Sequence, residues 1–229
     1  MGWVFFQSFI QRICGKMIRN ITFLKDHRSF KAKTFIEFRP GMNLLVGDNG
    51  TGKSSLISLI RNLTGKAIPF SREDALKTIF CDADKDSFYG FDFERDNFRT
   101  RSDFDSDQMM FQMLSLKKSH GETVREQLKV LKLKDEMKKI IFVLDEPDMS
   151  LSLVGLKLLT DYLHMAVDNG NQVIAAVHTP DLMREFKDVM NFNRLNSKKG
   201  LWCSYNEYEK ECEKRYLKLK EKEEKISVE

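Results

Sequence analysis

An α/β fold with a mainly parallel sheet is predicted by three features of this 229-residue chain. Strand-like and helix-like stretches alternate through its middle and end. The apolar runs Ile140-Ile141-Phe142-Val143-Leu144 and Val173-Ile174-Ala175-Ala176-Val177 have the texture of strands buried on both faces. A glycine-rich segment from Gly47 to Ser54 joins a strand-like stretch to a helix-like one. With 41% hydrophobic and 31% charged residues, the chain is long enough for one sizeable core.

The first 16 residues precede a second methionine, Met17, which is a candidate start; they are read as an N-terminal extension. Ile18 to Leu24 and Thr34 to Phe38 read as strands, Pro40-Gly41 as a turn, and Met42 to Val46 as a third strand running into the glycines. Ser54, Leu56, Ile57, Leu59 and Ile60 have helical spacing, with Gly65 as the stop. From Phe70 to Asp107 the signal breaks into short aromatic and acidic pieces, such as Phe88 to Glu94, that fit strands or irregular structure. Gly121 to Lys138 reads as helical, and Leu151, Val154, Leu158, Tyr162 and Met165 form a helical stripe closing near Gly170. A further helix is expected over Asp181 to Val189. Tyr205, Tyr208, Cys212, Tyr216 and Leu219 mark residues 205–229 as a charged amphipathic helix docked on the main domain, residues 17–204.

Composition removes several classes. The 12 glycines and 4 prolines are too few for collagen-like or low-complexity sequence. No apolar run approaches the ~20 residues of a membrane-spanning helix, so no membrane insertion is expected. Trp3 to Ile10 has no basic residue before it and no small-residue cleavage site after it, which leaves a cytoplasmic location as the expectation. Cys14, Cys81, Cys203 and Cys212 form no C-x-x-C pair and read as free thiols. The net charge of +4 does not by itself announce nucleic-acid binding. Its distribution is uneven, however: residues 72–107 hold 11 acidic and 6 basic side chains, and residues 108–139 hold 8 basic and 4 acidic ones.

Four motifs carry chemistry. Gly47-Asp48-Asn49-Gly50-Thr51-Gly52-Lys53-Ser54 fits G-x-x-x-x-G-K-[ST], the Walker A loop, in the required strand-to-helix setting. Its glycines admit backbone N–H groups to phosphates, Lys53 adds a mobile charge, and Ser54 would ligate Mg2+. Asp145-Glu146-Pro147 follows an apolar strand, so Asp145 is placed to hold the metal and Glu146 to orient the attacking water. His178 ends the next buried strand, in reach of a γ-phosphate. Ser119-His120-Gly121-Glu122 in isolation reads as a helix capping box, but a Ser-x-Gly at a helix N-terminus is also an anion site, and the 23 residues from Glu122 to Asp145, room for one helix and a strand, favour a phosphate-sensing signature. Asp82-x-Asp84-x-Asp86 imitates a calcium loop but has Ser87 and Phe93 where Gly and Glu are needed, and is read as a solvated acidic surface.

In their order along the chain these motifs resemble the ATP-binding-cassette (ABC) ATPases, and within them the SMC and RecF-type branch. His27-Arg28-Ser29-Phe30, Pro40 to Gly50, Ser119 to Glu122, Leu144 to Asp148 and Val177 to Pro180 carry the likeness, which spans about Met17 to Asn196. The resemblance implies a P-loop NTPase with a mainly parallel central sheet, an N-terminal antiparallel β portion and a small helical portion. It implies ATP and Mg2+ as cofactors, Ser55 as a further nucleotide contact, and an ATP-bound homodimer in which Ser119 and Gly121 act in trans. The sequence departs from the family pattern in its signature, which is not Leu-Ser-Gly-Gly-Gln, and in having Ser152 where the D-loop Asp usually stands. The glutamine-loop residue is open among Gln108, Gln112 and Glu94. With 64 residues between Ser54 and Ser119 and no heptads, a compact head without coiled-coil arms is expected.

The function this implies is an ATPase acting as a dimeric switch for a nuclease or other nucleic-acid-processing partner, in DNA repair or antiviral defence, with DNA or RNA contact as an open expectation. Lys117, Lys118, Arg125, Lys129, Lys132, Lys134, Lys138 and Lys139 are the candidate nucleic-acid surface. The alternatives are the nucleotide-binding subunit of a membrane transporter and a regulatory ATP-binding module with little turnover.

Overall fold

The computed structural model describes residues 17–63, 69–83, 88–92, 141–149 and 151–226. Nine strands are described: β1 (Ile18–Phe23), β2 (Phe35–Glu37), β3 (Met42–Val46), β4 (Ile79–Ala83), β5 (Phe88–Asp92), β6 (Ile141–Asp145), β7 (Gln172–Ala176), β8 (Asp188–Asn191) and β9 (Trp202–Ser204). The described helices are α1 (Lys53–Leu63), α2 (Pro69–Thr78), α3 (Leu153–Asp168), α4 (Pro180–Phe186) and α5 (Tyr205–Ile226), with a 3-10 turn η1 over Phe192–Arg194. A six-stranded sheet runs in the order β5-β6-β7-β3-β8-β9, parallel throughout except for the antiparallel edge strand β9. A separate antiparallel sheet, β2-β1-β4, lies at the N-terminal side.

Two apolar clusters cover the faces of the central sheet, because successive residues of a strand point to opposite sides. Leu44, Val46, Phe142, Leu144, Val173 and Ala175 face α3 and α4 through Leu159, Leu163, Leu182 and Met183. Leu45, Val143, Ile174 and Ala176 face the other way, onto Leu56, Ile57 and Ile60 of α1, which the antiparallel sheet covers with Ile18, Ile21, Phe23 and Ile36. The helix after the glycine loop is thereby clamped between two sheets. Gln172 ties those sheets together: its Oε1 accepts the Ile18 N–H at 2.8 Å and its Nε2 donates to the Ile18 carbonyl at 2.9 Å.

Three expectations are corrected. The helix drawn over Asp181 to Val189 ends at Phe186, where Lys187 takes a positive φ of 64°. Val189 and Met190 then belong to β8, beside β3, because both are fully buried and sheet pairing satisfies their backbone. The helix after Asp145 forms, but its apolar stripe is only partly in phase, since Leu151, Tyr162 and Met165 pack on the core and the other two members do not. Gly155, Leu159, Tyr162, Leu163 and Ala166 face the core, whereas Val154 and Leu158 are exposed. The C-terminal helix docks over its first turns only: Tyr205 is buried, while Tyr216 and Leu219 are exposed. Segments read as ambiguous resolve into α2, β4 and β5, and β9 carried no sequence expectation. The helix expected over 121–138 and the extension of residues 1–16 lie outside the described residues. Cys81, Cys203 and Cys212 are free thiols, and burial pushes Cys81 up to about 12 and Cys203 up to about 11.

Candidate functional site

Strands β6, β7 and β3 are neighbours and parallel, so the segments leaving their C-terminal ends emerge side by side. Asp145 is level with Ala176, which is level with Leu45. Three motifs far apart in sequence therefore share one mouth, the edge of an open α/β sheet at which ligands are bound.

The loop after β3 needs its glycines. Gly47, Gly50 and Gly52 have φ of 143°, 80° and 104°. A Cβ on Gly52 would come within 2.8 Å of the Phe30 ring, which is itself stacked on Phe23 at 4.1 Å between ring centroids. The loop is also fastened from outside: Ser29 Oγ donates to the Gly50 carbonyl at 2.7 Å, and Arg28 donates to Ser55 Oγ at 3.0 Å. Thr51 Oγ1 closes it internally on the Asp48 carbonyl at 2.8 Å. Asp48, Asn49 and Gly50 are exposed at its crest, and Ser54 is exposed in the first turn of α1.

Lys53 is buried, and its Nζ donates to the Gly47 and Asp48 carbonyls at 2.8 and 3.1 Å. Burial lowers its pKa, against the opposing pull of Glu146, Asp48 and Asp145 in that order. Two loop carbonyls thus hold the ammonium where an incoming phosphate could take it over. Asp145 ends β6, and Glu146 turns out of the strand with φ 49° while its N–H donates to the Ala176 carbonyl at 3.0 Å. Left-handed backbone at a non-glycine residue costs about 1–2 kcal/mol and persists only where neighbours enforce it. Glu146 Oε1 lies 3.1 Å from His178 Nε2, so the two side chains from adjacent strands meet across the mouth.

Sequence reasoning assigned no role to Asp148, Arg28, Asn193 or Arg215, although the first two stand in segments that carry the family likeness. Asp148 is buried, and its Oδ2 accepts the N–H groups of His178 at 2.8 Å and Thr179 at 2.6 Å, fixing the turn that presents the imidazole. Its place in Asp-Glu-Pro-Asp was a visible signal. Asn193 and Arg215 reach Asp48 from 145 and 167 residues away, a separation with no local signature. Ser152, standing where a D-loop Asp was expected, caps α3 by accepting the Gly155 N–H at 3.2 Å. Ser119, Gly121, Glu94, Gln108, Gln112 and the basic stretch 117–139 lie outside the described residues. Asp82 pairs with Arg19 at 3.3 Å, and Asp84 and Asp86 lie outside the described residues.

The donor set fits a nucleotide with Mg2+: a carboxylate and a hydroxyl are the hard oxygens that ion takes, and glycines with positive φ open the loop to phosphate oxygens. Such a site, on a mixed and mostly parallel sheet beside an antiparallel one, defines an ABC-type ATPase domain. The chain belongs to the AAA domain family AAA_23, which matches residues 23–227 and is found in SMC/RecF-like ABC ATPases.

Among solved structures, a metal-chelate-type ABC transporter in an inward-facing conformation is similar at 16% identity, covering 84% of each chain with a TM-score of 0.51. The ATP-binding cassette MJ0796, a dimer bound to ADP and Pi, is 14% identical over 77% of this chain and 93% of its own, with a TM-score of 0.46. CbiO1 from Clostridium perfringens, part of the transporter complex cbiONQ, is 14% identical over 77% and 84%, with a TM-score of 0.44. At these identities the likeness concerns the fold. No curated protein matches the chain. Among the described residues no helix is long and apolar enough to cross a membrane.

Proposed function

We propose that this protein is a Mg2+-dependent ATPase whose ATP-bound dimer switches a nuclease or other nucleic-acid-processing partner. The observation that carries the reading is the meeting of Lys53, Asp145, Glu146 and His178 at the ends of three adjacent strands. Loop N–H groups, the N-terminus of α1 and Lys53 hold the polyphosphate. Mg2+, held by Ser54 and Asp145, would neutralise phosphate charge. Glu146 orients a water and takes its proton as the water oxygen bonds to the γ-phosphorus. The bond to the β–γ bridging oxygen breaks, releasing ADP and phosphate. His178, kept beside Glu146 by Asp148 through the backbone, donates to a γ-phosphate oxygen. Asp48, Asn49, Gly50, Thr51 and Ser55 complete the binding loop.

The dimer reading draws support from the exposed apolar side chains that follow Asp145-Glu146-Pro147 in the chain, Met149 at 54%, Leu153 at 78% and Val154 at 62%, since exposed apolar surface marks interaction sites. In the dimer Ser119 and Gly121 of one chain contact the γ-phosphate held by the other, as the family resemblance implies. The partner class rests on membership of the SMC/RecF-like group.

Glu146→Gln is the deciding experiment. Losing a general base typically slows turnover ~10²- to 10⁴-fold while leaving binding intact, so ATP should persist and trap the dimer. Light scattering after size exclusion, with ATP and Mg2+, should show twice the monomer mass. Lys53→Ala should bind and dimerise poorly. A Glu146→Gln chain that binds ATP and stays monomeric at tens of micromolar (about the range in which weak dimers form) overturns the switch.

A further inference from the structure

Asp48 is the least expected residue of the phosphate loop, because a carboxylate at its crest opposes the binding of a polyanion. Its charge is felt inside the site, where it helps to hold the Lys53 ammonium protonated. The structure answers that charge from the far end of the chain. Arg215 of α5 donates from Nη1 to Asp48 Oδ2 at 2.6 Å. The rest of its guanidinium is also engaged, Nη2 with Cys212 Sγ at 3.1 Å and Nε with the Glu211 carbonyl at 3.4 Å. A fork held at three corners is presented to Asp48 in one orientation, unlike a free surface lysine.

A second route joins the same two elements. The Asp48 N–H donates to Asn193 Oδ1 at 3.1 Å, and the Asn193 N–H donates to Asn191 Oδ1 at 3.1 Å. Asn191 Nδ2 donates in turn to Glu211 Oε2 at 3.0 Å, one helical turn before Arg215. Glu211 is anchored by Arg194, at 2.8 and 3.0 Å, and by Lys199 at 2.7 Å, and these cations hold its carboxyl down at about 2. The chain of contacts therefore closes on itself: Asp48 peptide, Asn193, Asn191, Glu211, α5, Arg215, Asp48 carboxylate. Beyond Arg215 the helix is exposed on all sides through Glu223.

We propose that Arg215 is a positioning residue of the phosphate loop, neutralising Asp48 and, with Asn193, fixing its peptide, so that the C-terminal helix sets the affinity for a nucleotide polyphosphate. The proposal rests on the nucleotide-binding reading and adds to it a residue outside every motif. Coupling of this kind is reciprocal: whatever displaces α5 weakens nucleotide binding, and nucleotide tightens α5.

The test is a binding cycle on the full chain, using the fluorescent analogue mant-ATP with Mg2+. Arg215→Ala should weaken binding about three- to fivefold, the scale of one exposed but ordered ion pair. Arg215→Lys should recover part of the loss. In an Asp48→Asn background, Arg215→Ala should change affinity by less than about 1.5-fold, because the charge it answers is gone. Equal losses in both backgrounds would show that Arg215 touches the nucleotide or merely supports the fold, and would overturn the proposal. So would an unchanged affinity in the native background. A parental chain with no binding curve at all overturns the nucleotide-binding reading, and this is visible before any substitution is made. Hydrogen exchange over residues 205–223, with and without the analogue, should show added protection in the native chain that Arg215→Ala loses; equal protection in both chains overturns the coupling.

Discussion

The two sides of the nucleotide mouth hold unusual backbone by different means. On the phosphate-loop side, positive φ falls on Gly47, Gly50 and Gly52, so the conformation costs little and depends on the lack of side chains. On the other side positive φ falls on Glu146, and the turn is enforced by a strand-to-strand N–H bond to Ala176 and by Asp148, which gathers two further amides. One side is shaped by what is missing, the other by a buried carboxylate. Substitutions should therefore fail for opposite reasons, by added bulk on the first side and by lost hydrogen bonds on the second.

The largest effect should come from Gly52→Ala. The methyl must enter a space where Phe30 is fully buried and stacked on Phe23, and the backbone must keep a φ that L-residues avoid. Overpacking and the backbone penalty together amount to roughly 2–5 kcal/mol. Urea denaturation should show the loss, and nucleotide titration should show weakened binding; a stable variant with intact affinity would mean that the loop tolerates bulk and that the contrast is wrong.

A somewhat smaller effect, roughly 2–4 kcal/mol, is expected for Asp148→Ala, which strands the His178 and Thr179 N–H groups. Asp148→Asn should lose about half as much, since one amide oxygen can still accept both donors while the charge assistance is gone. Comparing kcat across the pair separates geometry from charge. If Asn and Ala are equally damaged, it is the negative charge of Asp148 rather than its hydrogen bonds that matters on this side.

The smallest effect is an acid one. The Glu211 carboxyl sits at about 2, against an ordinary value of 4.5, because it accepts from Arg194 and Lys199. A depressed carboxylate stabilises the fold fully above about 4.5 and loses that contribution as pH falls toward 2. Proteolysis at the root of α5 should thus accelerate across that window in the native chain, and Glu211→Gln should remove the pH dependence. An identical acid profile in both chains would place the acid-sensitive fastening elsewhere.

Much of this molecule can be read locally. The Walker A spacing, the apolar run before Asp145-Glu146 and the second run before His178 place a loop and two strand ends without reference to any distant residue, because each depends on a few consecutive residues. The phase of α3 could not be read this way. Leu153, Val154 and Leu158 are as apolar as the residues that are buried, and only the position of the central sheet decides which face turns inward. The same limit applies to β8 and β9, short segments whose strand character exists only through pairing with β3 and with each other.

The residue types needed for a phosphate site and for a parallel sheet were written in the sequence by itself, since loop conformation, helix initiation and burial on both strand faces are set within about ten residues. Tertiary structure alone decided which groups meet. It brought Glu146 to His178 through adjacent strands, hid Asp148 beneath the turn it braces, and carried Arg215 across 167 positions to the crest of the phosphate loop. Hydrogen bonds and ion pairs act over about 3 Å whatever the separation along the chain, so contacts between distant segments leave no periodicity or spacing to read.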